Sequence, residues 1–173
     1  KCLRRIVDDG HEPAAVITRR RPTDGSLAEL AAHLSVPVRA PEHANGSEFV
    51  TWLRSLKPDL NISMSYDQIL KRPIIESAPL GFINCHAGKL PHYRGRNPIN
   101  WAIINSETEI GITVHYLDEG IDTGDIVLLR VLPIGWEDYY GSVLNRVRDA
   151  FPDLLSEAMR LIGEDRVRRQ PQP

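Results

Sequence analysis

Apolar side chains fall in short bursts through the first half of the chain and at helical spacing through much of the rest. Residues 14–18 (Ala-Ala-Val-Ile-Thr) are a short apolar, β-branched run, and residues 60–64 alternate as Leu-Asn-Ile-Ser-Met. Both predict strands, as do residues 81–86. Residues 111–117 and 126–131 predict two more strands, adjacent to each other, and Val36-Pro37-Val38 a brief extended segment. Between these runs the apolar period changes to that of a helix. Leu3, Ile6 and Val7 share a helical face that ends at Asp9-Gly10, and Phe49, Val50, Leu53 and Leu56 form one face of a helix over 47–56. Ser26 is predicted to cap a helix over 27–34, with Glu29 as its capping-box partner. Residues 98–105 and 139–162 complete the helices, the last with Pro152 as a kink or a restart. Residues 19–25 and the polar segment 163–173 read as loop and frayed tail. Strands alternating with helices predict an α/β domain around a mostly parallel sheet.

The chain has 173 residues, enough for one domain with its own core. Its net charge of −2 gives no reason to expect a nucleic-acid binder dominated by a basic surface. No apolar run approaches the roughly 20 residues of a membrane span, and no signal peptide is visible. The two cysteines, Cys2 and Cys85, have no metal-ligand spacing and read as reduced thiols of a cytoplasmic protein.

Three polar stretches carry candidate chemistry. Asn84 and His86 end a predicted strand two residues apart, so both project from one face. At the carboxyl edge of an α/β sheet such a pair can meet a ligand, or simply anchor a loop. Residues 87–98 form a loop rich in Gly, Pro and cations, in which Arg94 and Arg96 can bind carboxylate or phosphate; a solvated surface loop is the plainer alternative. Residues 118–125 form an acidic loop between two strands, without the ligand spacing of a calcium-binding EF-hand. A histidine needs a nearby anion to stay basic enough for proton transfer at neutral pH, and a carboxamide can donate to a developing oxyanion. Cys85 should face away from both, so direct acyl transfer to an amine suits this set better than a covalent thioester.

Asn84-x-His86, Lys89-Leu90-Pro91-x-Tyr93-Arg94-Gly95, Gly111-Ile112-Thr113-x-His115 and the run from Asp118 to Ile126 occur in that order. The ordered set resembles the folate-dependent formyltransferases, and its loop wording is most similar to the nucleotide-sugar N-formyltransferases. The resemblance implies a Rossmann-like catalytic domain over 1–162, with the family's first strand expected ahead of Lys1. It implies that Asn84 polarises the formyl oxygen, that His86 is the general acid/base, and that Asp122 keeps His86 protonatable and orders the attacking amine or a water. It implies 10-formyltetrahydrofolate as co-substrate, without a metal, bound by Gln68, Ile69, Leu70, Arg96, Asp118, Glu119, Gly120, Ile121 and Asp122. The implied acceptor is a small-molecule amine, first of all a nucleotide-linked amino sugar, with no nucleic acid or membrane partner and a homodimer as the oligomer to expect. The alternatives are formylation of an aminoacyl group on tRNA or on a carrier protein, and a non-catalytic folate-binding relic of the fold. His115 reads as a structural residue within its strand, and His33, His43 and His92 as surface or loop residues.

Overall fold

A computed structural model describes residues 1–21 and 25–173, so part of the predicted 19–25 loop lies outside the described residues. The elements run α1 (Cys2–Asp8), β1 (Val16–Ile17), α2 (Ser26–His33), β2 (Val38–Arg39), α3 (Ser47–Ser55), β3 (Asn61–Met64), α4 (Arg72–Ile75), β4 (Phe82–His86), α5 (Pro98–Ile104), β5 (Glu109–Tyr116), β6 (Ile126–Pro133) and α6 (Tyr140–Gly163). β1 and β2 pair in parallel as a two-stranded ladder. The larger sheet has the order β3-β4-β5-β6, with β3 and β4 parallel and β5 and β6 added antiparallel at the far side.

Alternation along β4 and β5 sorts the side chains onto two faces. Ile83 and Cys85 of β4, with Ile110, Ile112, Val114 and Tyr116 of β5, join the main core. α5 contributes Ile99 and Ala102 to it, and α6 contributes Val143, Val147, Phe151, Leu154, Leu155, Ala158, Met159 and Ile162. Phe82 faces the other way, into a second cluster with Phe49, Val50 and Leu53 of α3 and Ile74 of α4. The sheet is thus covered by helices on both faces, as the strand–helix alternation predicts. Asn84, His86, Thr113 and His115 share parity with Phe82 and lie on the α3–α4 side.

Three local expectations are corrected. Ser26 is the first residue of α2, and Gly25 is its N-cap. α6 runs unbroken through Pro152, so no restart occurs. An interior proline costs about 3 kcal/mol, which the apolar stripe buried on both sides of it offsets at about 1.5–3 kcal/mol per large side chain. The segment after α6 is ordered rather than frayed: Val167 packs on the main core and Gln170 bridges Ile126. It lacks apolar periodicity, so nothing in its pattern announces that order.

Candidate active site

The register between β4 and β5 brings four polar side chains together. Asn84 lies opposite His115, and His86 opposite Thr113. All four are at least half-buried, and His115 and Thr113 are fully so. The loop after β5 then carries Asp122 back over them. Its carboxylate lies 3.5 Å from His86 Nδ1 through Oδ2, 3.4 Å from His115 Nε2 through Oδ1, and 3.5 Å from Asn84 Nδ2. Gly95 N–H donates to Oδ2 at 2.9 Å, tying the cationic loop to the acidic one. Asp122 holds this place in a left-handed conformation, φ 53°, which aspartate tolerates better than most residues.

Each imidazole has one nitrogen fixed by a backbone carbonyl. His86 Nε2 lies 2.7 Å from the Tyr93 carbonyl and His115 Nδ1 2.8 Å from the Tyr116 carbonyl. A carbonyl only accepts, so both nitrogens carry their protons. This leaves His86 Nδ1 as the basic atom, facing Asp122. It also leaves His115 Nε2, in the neutral ring, to accept from Asn84 Nδ2 at 3.2 Å. That contact orients the Asn84 amide with its NH2 toward the site. The second Nδ2 hydrogen has only the long contact to Asp122, so a stronger acceptor can take it.

The electrostatics depart from the sequence expectation in one respect. Burial lowers the His86 pKa below its ordinary 6.5; Asp122 and the Tyr93 carbonyl pull it upward, and His115 pushes it further down, but burial prevails. His86 is therefore mostly neutral at neutral pH, and Asp122 limits the depression without reversing it. Burial works against the charged form of Asp122 too, but the adjacent His115 and His86 rings and the Gly95 N–H bring it below the ordinary carboxylate value. The net arrangement is a neutral base beside a carboxylate anion.

Cys85 sits on the opposite face, 5% exposed, and burial pushes its thiol pKa up. A thiolate nucleophile is excluded there by both direction and protonation. No group of three His, Cys, Asp or Glu among the described residues is disposed to hold a metal ion.

The loop after β4 fits His86 closely. Thr113 Oγ1 donates to the Gly88 carbonyl at 2.7 Å. A Cβ on Gly88 would lie 2.5 Å from His86 Nε2 and from the Tyr93 carbonyl oxygen, closer than side chains pack. Gly88→Ala is therefore expected to displace the ring from its carbonyl and lower turnover at least roughly tenfold. Proton NMR should show loss of the hydrogen-bonded His86 Nε2–H resonance; retention of that resonance with parental turnover would refute the assignment.

Of the remaining predicted site residues, Asp118 and Glu119 line a cleft of about 400 Å3 with Arg72, Ile75, Glu76 and Leu117. Its opposing wall is α4, and Gln68, Ile69 and Leu70 do not line this cleft. Gln68 is turned away, accepting from Ala44 N–H at 2.9 Å and donating to the Pro41 carbonyl at 3.2 Å. The Ile69 carbonyl is taken by Asn45, and Leu70 packs in the second core. Asp118 Oδ1 accepts from Gly120 N–H and Thr123 Oγ1, so it shapes its own loop. Arg96 and Gly120 are exposed, Ile121 is 62% exposed, and none of the three lines the cleft. Arg94 is committed to Gln172 and Pro173. His115, read from sequence as structural, is a direct neighbour of Asp122 and Asn84. The alternation Thr113-x-His115 placed it on the right face, but only the β4–β5 register shows its partner.

Known proteins share this chain's sequence over most of its length. It is 36% identical to methionyl-tRNA formyltransferase of Clostridioides difficile (strain 630), over 99% of this chain and 58% of that protein. It therefore spans somewhat over half the length of that relative. Glycinamide ribonucleotide transformylase 1 from Geobacillus kaustophilus superposes with a TM-score of 0.81 at 25% identity, over 94% of this chain and 92% of that one. As a likeness of fold, a sugar 3N-formyl transferase superposes at 0.78 with 22% identity, over 99% of this chain and 61% of that one. The family profile described as formyl transferase matches residues 6–159, and the chain belongs to that family.

Proposed function

We propose that the chain transfers a formyl group from 10-formyltetrahydrofolate to a primary amine, with Asn84, His86 and Asp122 as the catalytic group. The observation that carries this reading is the convergence of one amide donor, one free imidazole nitrogen and one carboxylate on the sheet face opposite Cys85. The folate supplies a formyl group on a nitrogen that can leave. A cleft of about 400 Å3 beside the loop that carries Asp122 is of the size that holds a small ligand, and Ile75 and Leu117 in its lining offer apolar contact to a flat ring.

Within this reading the residues divide the work. Asn84 Nδ2 donates to the formyl oxygen, where negative charge grows as the amine attacks. A carbon–nitrogen bond forms to the amine while the carbon–nitrogen bond to the folate breaks. The amine's proton passes to His86 Nδ1, the free basic nitrogen, and from there to the departing nitrogen. Asp122 stabilises the imidazolium in between.

Two acceptors remain in contention. The 36% identity to a methionyl-tRNA formyltransferase over nearly the whole chain supports an aminoacyl group on tRNA. The wording of residues 87–97 supports a nucleotide-linked amino sugar. The aminoacyl reading is the better supported, because it draws on the whole chain rather than one loop. Two free thiols, Cys2 and Cys85, accord with a cytoplasmic site of action. All three catalytic side chains lie within residues 1–162 in this reading.

Incubation with 10-formyltetrahydrofolate and either methionyl-tRNA or a nucleotide-linked 4-amino sugar, read by mass spectrometry, should yield N-formyl-methionyl-tRNA. A formylated sugar in its place would select the second acceptor. Formate release with neither acceptor formylated would assign hydrolysis, and absence of any turnover with retained folate binding would assign a non-catalytic relic.

A further inference from the structure

Residues 166–173 are held against the domain at four points. Val167 packs on the main core. The Arg169 guanidinium lies 3.9 Å from the centre of the Tyr116 ring, within cation–π range. Gln170 and Ile126 exchange both backbone hydrogen bonds, at 2.9 and 3.0 Å. These three attach the segment to the ends of β5 and β6 and to the core beneath them.

The fourth contact differs in kind. The Gln172 side-chain amide joins the two loops that meet at the catalytic carboxylate. Its Nε2 donates to the Asp122 carbonyl at 3.1 Å and to the Gly124 carbonyl at 2.6 Å. Its Oε1 accepts from Arg94 Nε at 3.1 Å and Nη2 at 2.8 Å, and Nη2 also donates to the Pro173 carbonyl at 3.1 Å. Arg94 immediately precedes Gly95, whose N–H holds Asp122 Oδ2. One amide therefore grips the backbone of Asp122 itself and the residue next to the donor that fixes its carboxylate.

The acidic loop needs such a grip. Asp122 is left-handed, a conformation that surrounding contacts must maintain. On its inner side the loop lies directly on β5, where a Cβ at Gly124 would come within 2.0 Å of the Tyr116 carbonyl oxygen. On its outer side Gln172 supplies side-chain donors to the Asp122 and Gly124 carbonyls.

We propose that Gln172 is a positioning residue: the segment after α6 closes over the site and uses this one amide to hold Asp122 against His86 and His115. The inference rests on the proposed catalytic role of Asp122. It requires both halves of the amide, the donor for the loop carbonyls and the acceptor for Arg94. Gln172→Glu separates them, because it keeps an acceptor for Arg94 and sets a second oxygen against two carbonyls. Gln172→Ala removes both.

The test measures formyl-transfer kinetics, hydrogen exchange of the Gly95 amide, and the NMR titration of His86 in the parent and both variants. Both variants should lose roughly tenfold to hundredfold in kcat, as expected when a catalytic group drifts by about 1 Å, with the KM for the folate little changed. The Gly95 amide should exchange faster, and the His86 midpoint should fall as the upward pull of Asp122 weakens. These two signals separate positioning from a general loss of stability, which a thermal melt reports. Should Gln172→Ala melt early, Gln172→Glu, which keeps the Arg94 contact, decides the matter. Parental Gly95 exchange and a parental His86 midpoint in the variants would overturn the inference. If the parent itself transfers no formyl group, the proposed function fails, and the Gly95 and His86 signals still judge the positioning role separately.

Discussion

His86→Ala should lower turnover at least roughly a hundredfold while the chain melts as the parent does. A positioned general acid/base typically contributes about 10²–10⁴-fold, and His86 is the one imidazole of the pair that offers a free nitrogen, Nδ1, toward Asp122 rather than toward a backbone carbonyl or the Asn84 amide. The ring contributes little to the apolar cores, so its removal should leave the fold in place. The pH profile provides a second check. Burial holds the His86 pKa below 6.5, so the neutral base is already dominant at pH 7. Divided by the fraction of acceptor amine in its free-base form, which for an α-amino group titrates at about 7.7–8.0, the rate should be flat through neutrality and fall only as the pH drops below about 6.5. A corrected profile still rising through pH 7.5 would mean that the working base is another group.

Asp122→Asn should cost a comparable factor, also at least roughly a hundredfold. The carboxylate accepts from Gly95 N–H on one oxygen and faces His115 and Asn84 with the other. An amide of the same size must turn its NH2 toward one of these, opposing either the Gly95 donor or the Asn84 donor. It also removes the negative charge that steadies a protonated His86. The acid limb of the pH profile should therefore move to lower pH in this variant, because Asp122 acts to raise the His86 pKa. Asn84→Ala removes the donor proposed to bind the formyl oxygen, and loss of such a donor costs about 2.7–4 kcal/mol of barrier. Asp118→Asn should cost much less, since Asp118 serves its own loop through Gly120 and Thr123. Kinetics of the four variants over a pH series would rank them; parity between Asp118→Asn and Asp122→Asn would contradict the assignment.

What was legible in the sequence follows from where order comes from. The cores of β3 to β6 and the stripe of α6 are written in apolar period, and their predicted bounds differ from those found by no more than two residues. Asn84 and His86 were legible as a pair because a strand repeats every two residues. The partnership of Asn84 with His115 was not, because it depends on the register of β5 against β4, which either strand alone does not encode. α4 has a single turn beginning at Arg72-Pro73 and too few residues to show a period. Its place in the wall of the cleft beside Asp118 and Glu119 is therefore visible only in the fold, whereas Gln68, Ile69 and Leu70 were implied by the family resemblance. The order of residues 166–173 comes from backbone bridging, one cation–π contact and one side-chain amide, none of which leaves a hydropathy signal. The direction of the His86 shift was missed for a related reason: the anion beside it was foreseeable from motif, but the extent of its burial was not.

In the proposed reaction this face of the sheet hands a formyl group directly to an amine. The measurement that tests it most directly follows 13C-formyl-labelled 10-formyltetrahydrofolate by NMR, mixed with methionyl-tRNA and the parent chain or His86→Ala in parallel. The 13C signal should move to the formamide of the aminoacyl group with the parent, and stay on the folate over the same interval with the variant. Equal transfer by the two chains, with both folded, would contradict it.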